Sequence, residues 1–186
     1  MAKTSWALIG GAGPGLGTAL IEAFSADRMN AIGLRRSGAP AGSPHDIRAC
    51  DLTDETAVRA TLAPLLAELG PPRVVVHNPS QMVRGDFDTL TPADFDRCWQ
   101  GIVLSAVHLA HICLPAMASG NGGTFIATGA TASQRGGAQF AAFASAKFGL
   151  RGLCQSLARA WIAATSSSLI ATGPASLKTV SLTLLP

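Results

Sequence analysis

Hydrophobic and polar positions along this chain switch repeatedly between a strand-like and a helical period. Ser5 to Ile9 is a short apolar run that breaks into Gly10-Gly11-Ala12-Gly13-Pro14-Gly15-Leu16-Gly17, and apolar residues resume at helical spacing over Thr18 to Ala26. That pattern predicts a strand, a tight turn and a helix. Ala31 to Leu34 reads as a second strand closed by Arg35-Arg36, and Ser37 to Pro44 as a Gly/Pro/Ser loop. Ile47 to Cys50 reads as a third strand, after which Thr53 can cap a helix from Asp54 towards Leu69. Asp54 and Glu55 in its first turn suit the helix dipole. Gly70-Pro71-Pro72 stops that helix, and Val74-Val75-Val76 is the β-branched run of a strand buried on both faces of a parallel sheet. Thr91-Pro92-Ala93-Asp94 carries a capping signature that opens a long helix to about Met117. Thr124 to Thr128 is a fifth strand, and Ala138 to about Ala163 a second long helix.

Strands separated by helices are joined by right-handed crossovers, so the predicted fold is α/β: one doubly wound parallel sheet with helices on both faces, Rossmann-like, its C-terminal strands incomplete. Residues 1–163 form the predicted dinucleotide-binding domain. Residues 164–186 read as a divergent or truncated tail, with Lys178 their only charged residue and a weak strand signal over Ser168 to Thr172.

Composition narrows the function classes. The 186 residues suit a single domain, and 48% of them are hydrophobic, enough for a sizeable core. Only 13% are charged, about half the usual share, which suits an oligomer that hides apolar surface. A net charge of +3 from scattered Lys and Arg makes no basic stripe, so no nucleic-acid or membrane partner is expected. The uncharged stretch from Gln100 to Gln134 is interrupted by His108, His111, Pro115 and glycines, so it does not read as a membrane span. Met1-Ala2-Lys3 runs directly into Trp6-Ala7-Leu8-Ile9, too short for a secretory signal, and the expected location is cytoplasmic. Cys50, Cys98, Cys113 and Cys154 lack metal or disulfide spacing and read as reduced, buried thiols.

The candidate chemistry starts at the glycine run. A nucleotide pyrophosphate needs backbone N–H groups and a helix N-terminus facing it, and Gly11, Gly13, Gly15, Leu16 and Gly17 stand between a strand and a helix where that is possible. At the end of the second strand an acidic residue would hold the adenosine ribose hydroxyls. Arg35 and Arg36 stand there instead and can pair with a 2′-phosphate, which favours NADP over NAD.

On these residues the chain resembles the short-chain dehydrogenase/reductase family from Thr4 to about Arg159. Its glycine motif is matched by Gly10 to Gly17, its adenine-contacting aspartate by Asp51 with Leu52 beside it, and its post-strand asparagine by Asn78 in His77-Asn78-Pro79-Ser80. Phe95 to Trp99 and Leu114 to Met117 are similar to the family's long interface helix. The resemblance implies hydride transfer between a nicotinamide and a small carbonyl or alcohol, served by an Asn, a Ser, a Tyr and a Lys. Those positions fall on Ile102, Ala130, Phe143 and Lys147. Lys147 is thereby implied to hold the nicotinamide ribose. The chain contains no tyrosine at all, so no neighbouring phenol can replace the one lost at Phe143. Ser145 faces away from that helix side, while Thr131 and Ser133 lie close to Ala130. His108 and His111 read as interface or partly buried imidazoles.

Two functions follow. The first is an NADP-dependent oxidoreductase with a degraded catalytic set in which Lys147 alone is kept. The alternative is an inactive NADP(H)-binding pseudoenzyme or oligomeric partner subunit. A homodimer or homotetramer through helices 92–117 and 138–163 is expected in either case. Ala106, Leu109, Ala110 and Cys113 on one helix, and Ala142, Ala146, Leu150 and Leu153 on the other, are its candidate faces unless they pack on the chain's own sheet.

Overall fold

The computed structural model describes residues 5–162, 168–172 and 179–184. Five parallel strands, β1 (Trp6–Gly10), β2 (Asn30–Arg35), β3 (Asp46–Ala49), β4 (Val74–His77) and β5 (Gly123–Thr128), lie in the order β3-β2-β1-β4-β5. The helices α1 (Leu16–Ala26), α2 (Glu55–Leu69), α3 (Pro92–Trp99), α4 (Ser105–Ser119) and α5 (Ala141–Ile162) alternate with them. Leu8, Val75 and Phe125 on one sheet face join Leu62, Leu109 and Leu150 in the larger core. Ala7 and Ile9 on the other face pack with Ile21 and Ile47. Burial on both faces is what permits the uninterrupted Val74-Val75-Val76 run.

Local chemistry fixes the helix starts. Asp54, not Thr53, caps α2: its carboxylate accepts the N–H groups of Thr56 and Ala57. Thr91 and Asp94 form the capping box before Pro92. From Pro92 to Ser119 the backbone is continuously helical, with a π-helical stretch over Gln100–Leu104 between α3 and α4. A Cβ on Gly101 in that stretch would lie 2.7 Å from Cβ of Gln81, so the absence of a side chain lets the segment after β4 rest against the helix. By length and composition alone this helix could cross a membrane, but half of its most apolar window is buried in the fold.

Two features depart from the sequence reading. Ala106, Leu109, Ala110, Cys113, Ala142, Ala146 and Leu150 are buried in the chain's own core and cannot be the faces of a dimer. Alanines there let the long helices lie close on the sheet. The larger exposed apolar groups of these helices are Trp99 and Phe148. At the C-terminal end, β6 (Ser168–Thr172) and β7 (Thr179–Leu184) pair antiparallel with each other, and β7 pairs antiparallel with β5. The parallel part of the sheet thus ends at β5, in line with the incomplete C-terminal end expected, and the two strands that extend it to seven among the described residues are antiparallel additions. The strand over Ser168–Thr172 matches the weak signal there. Thr179–Leu184 was not foreseen, because a short uncharged Thr/Val/Ser/Leu segment carries no turn signal of its own.

Candidate cofactor and catalytic site

Strand order reverses between β1 and β4, and in such sheets the crevice beyond the strand ends at that point is where ligands bind. A cavity of about 510 Å³ opens there. Gly11, Gly13, Leu16 and Gly17 form one wall, Arg35 and Arg36 another, and Asp51, Leu52 and Asn78 line it as well. Gly15 lies in the turn at φ +90°, a conformation that L side chains rarely adopt, immediately before α1. A Cβ on Gly17 would be 2.6 Å from the carbonyl oxygen of Gly11, so the turn can pack onto the helix only with glycine there. At Gly13 an added Cβ would meet nothing within 4 Å. That glycine is therefore not demanded by packing, and its bare backbone leaves room beside a helix N-terminus for a phosphate group.

Hydrogen bonds hold this loop in place. The N–H groups of Gly11 and Ala12 donate to the Leu34 carbonyl at 3.0 and 2.9 Å. Asn78 donates its side-chain amide to the Gly11 carbonyl at 3.1 Å and its backbone N–H to Gly10 at 2.8 Å. Asn78 thus pins the glycine turn across the β1/β4 junction. Oδ1 of Asp51 accepts the backbone N–H and the hydroxyl of Thr53, at 3.0 and 2.8 Å. These bonds, the backbone one foremost, hold its carboxyl below the usual range, so it stays ionised at neutral pH. His108 Nδ1 lies 2.9 Å from the Leu52 carbonyl, which assigns the partly buried imidazole a role in fixing this turn.

Ile102, Ala130, Phe143 and Lys147, the four positions singled out by the resemblance, lie outside the lining of that cavity. Ile102 is fully buried in the core, with Ala130 packed against the same cluster. Phe143 is 8% exposed, and the ammonium of Lys147 sits 5.8 Å from its ring centroid. Lys147 itself is 3% exposed and donates to the Thr128 carbonyl at 2.9 Å. It borders a small void shared with Ser133, Arg151 and Cys154. Burial lowers its pKa to about 8, a value suited to giving and taking protons near neutrality. The nearby hydroxyls are engaged locally: Ser145 donates to Ala142 at 2.9 Å and Ser133 to Ala130 at 2.6 Å.

The lowered Lys147 pKa has a consequence for stability. An unfolded lysine keeps its proton to about pH 10.4, whereas the folded one releases it near 8, so between these values unfolding takes up a proton and stability rises with pH. Thiols oppose this from about pH 9, because burial raises the Cys113 and Cys154 pKa values to about 12. Between pH 8 and that thiol onset, the wild-type chain should gain on a Lys147→Met variant by about 1 kcal/mol per pH unit in urea unfolding. Parallel pH profiles for the two chains would contradict the buried-lysine assignment.

The sequence reading missed one polar pair. His77, the last residue of β4, is fully buried with Nε2 2.8 Å from the hydroxyl of Ser105 on α4. Ser105 donates that hydroxyl to the Gly101 carbonyl at 2.8 Å, so the ring nitrogen is the donor to Ser105 and Nδ1 carries a lone pair. Among the described residues, Nδ1 of His77 is the buried side-chain polar atom without a hydrogen-bond partner. Burial, helped by the charge of Lys147, lowers the His77 pKa to about 3, so the ring is neutral at physiological pH. The signal was a histidine ending a run of valines, a polar group where only core was expected.

Comparison with known proteins agrees with this architecture. The probable galactose dehydrogenase of Rhizobium meliloti is 30% identical over 166 residues, a match covering 81% of this chain and 63% of that protein. A short-chain dehydrogenase/reductase of Armillaria gallica is 29% identical, with 80% and 62% covered. The chain thus spans less than two thirds of the length of these relatives. A short-chain dehydrogenase structure from Rhodopseudomonas palustris superposes with a TM-score of 0.76 at 32% identity, over 84% of this chain and 79% of that one. The aldohexose dehydrogenase of Thermoplasma acidophilum superposes with a TM-score of 0.79 over 85% of this chain and 62% of its own, at 20% identity, and bears on the fold alone. The sequence model described as short chain dehydrogenase matches residues 5–181, from the first strand through the glycine turn and into β7. With that match running over most of its length, the chain belongs to the short-chain dehydrogenase family.

Proposed function

We propose that this chain binds NADP(H) in the β1/β4 cavity and moves hydride between its nicotinamide and a small carbonyl or alcohol substrate. The supporting observation is a cavity that joins a glycine turn at a helix N-terminus to two arginines at the end of β2. Gly11, Gly13, Gly15, Leu16 and Gly17 would surround the pyrophosphate, Arg35 and Arg36 the 2′-phosphate, and Asp51 and Leu52 the adenine. The cofactor supplies the hydride, and the chain must supply orientation, exclusion of water and a proton. Phe143, Ala130 and Ile102 cannot supply that proton, and this favours a second reading, an NADP(H)-binding pseudoenzyme or partner subunit. Turnover separates the two. Oxidation of galactose with NADP, or reduction of benzaldehyde or cyclohexanone with NADPH, is expected at a slow but measurable rate. Nucleotide binding without any turnover would support the pseudoenzyme.

A cytoplasmic location and a homodimer or homotetramer through helices 92–117 and 138–163 belong to the same reading. Since the alanine-rich stripes are buried, the contact would fall on the outer faces that carry Trp99 and Phe148. Sedimentation as a dimer or tetramer that Trp99→Lys with Phe148→Glu converts to monomer is the expected result, and a wild-type monomer at micromolar concentration would contradict it.

A further inference from the structure

The order of the strands gives the cofactor cavity a direction. Along β3-β2-β1-β4-β5, Asp51 and Leu52 follow β3, Arg35 and Arg36 stand at the end of β2, the glycine turn follows β1, and Asn78 to Gln81 follow β4. A dinucleotide with its 2′-phosphate at the arginines and its pyrophosphate at the glycine turn therefore carries its nicotinamide half to the β4 side. Two polar side chains there are already committed: Asn78 gives its amide N–H to the Gly11 carbonyl, and Ser105 gives its hydroxyl to Gly101. Ser80 is exposed and offers a single hydroxyl.

Gln81 differs from these. Its backbone is fixed, because the Cys98 thiol donates to its carbonyl at 3.2 Å. Its stem lies over Gly101 in the π-helical stretch, where an added Cβ would stand 2.7 Å from Gln81 Cβ, 3.3 Å from Cγ and 3.9 Å from Oε1. Both residues line the cavity, so the bare glycine steers a half-buried side chain along its wall. No hydrogen bond among the described residues engages the Gln81 amide. A primary amide holds N–H donors and a carbonyl acceptor in one plane. The group that satisfies donor and acceptor together is a second primary amide, and the nicotinamide ring carries one.

We infer that Gln81 binds the nicotinamide carboxamide, its Nε2–H donating to the carboxamide oxygen and its Oε1 accepting from the carboxamide N–H. The assignment rests on the NADP(H)-binding reading and is the same for an enzyme and for a pseudoenzyme, because it concerns binding and not turnover. Two bonds in one plane stop the ring turning about its link to the ribose, the kind of fixed orientation that hydride transfer needs.

Calorimetric titration of the full chain with three ligands tests this. They are NADP, its 3-acetylpyridine analogue, in which a methyl replaces the carboxamide nitrogen, and adenosine 2′,5′-bisphosphate, which lacks the nicotinamide half. Gln81→Ala should weaken NADP about tenfold, as expected for two neutral hydrogen bonds, and leave the bisphosphate within about twofold of wild type. Gln81→Met, which keeps a stem to lie on Gly101 and loses the amide, should match it. The wild-type chain should favour NADP over the analogue by about threefold or more, and both variants should bind the two equally. An unchanged NADP affinity in both variants, or a preference for NADP over the analogue that survives in them, would overturn the assignment. An equal loss of NADP and of the bisphosphate in both variants would also overturn it, since Gln81 would then serve the shape of the cavity and not the nicotinamide. Failure of the wild-type chain to bind any of the three ligands would instead overturn the reading on which the assignment rests.

Discussion

Phe143→Tyr combined with Ala130→Ser should raise the carbonyl reduction rate of this chain by about 10²-fold or more, since a positioned general acid contributes 10² to 10⁴. The ring already sits beside Lys147, and a cation close to a phenol favours its ionised form and brings its pKa towards neutrality. Ala130 has an extended backbone that serine adopts without strain. Neither substitution touches the lining of the cofactor cavity, so NADPH affinity should stay within about threefold while kcat rises. A double variant that folds, binds NADPH and gains no rate would mean that the reacting carbon does not lie near Phe143.

Replacing Arg35 and Arg36 together by Ala should weaken NADP(H) about 10²-fold and leave NAD(H) nearly unchanged, because each lost charge-assisted bond to a phosphate removes about 1.5 kcal/mol or more. Both arginines line the cavity; neither is within ion-pair distance of a carboxylate among the described residues, though the charge of Arg36 reaches Asp51 in the same lining. Their contribution should shrink as salt is raised, as expected for partly exposed charges. Equal losses for both dinucleotides would place the arginines against the pyrophosphate or the adenine instead.

How much of this was legible beforehand depended on whether the information was local. The Gly10 to Gly17 run between an apolar strand and a helical pattern gave the turn and one wall of the crevice, because phosphate-binding turns are built from consecutive residues. The Val74 to Val76 run placed the central strand by its β-branched side chains alone. Thr53 was misjudged as a cap because two adjacent residues both suit that role, and only the geometry of the Asp54 carboxylate decides between them. The alanine stripes of α4 and α5 gave no direction, since small residues suit a close partner helix and a close sheet equally well. His77 and Ser105 are 28 residues apart, and their pairing depends on how α4 crosses the end of β4, which no local pattern reports.

The measurement that tests the central claim most directly is calorimetric titration of the purified chain with NADPH, NADP, NADH and NAD. The β1/β4 cavity with Arg35 and Arg36 at its edge predicts binding of all four, with the phosphorylated forms at least about 10-fold tighter, a difference of roughly 1.4 kcal/mol. No heat of binding from any of the four would contradict the account at its base, and a preference for NADH would contradict the role given to the two arginines.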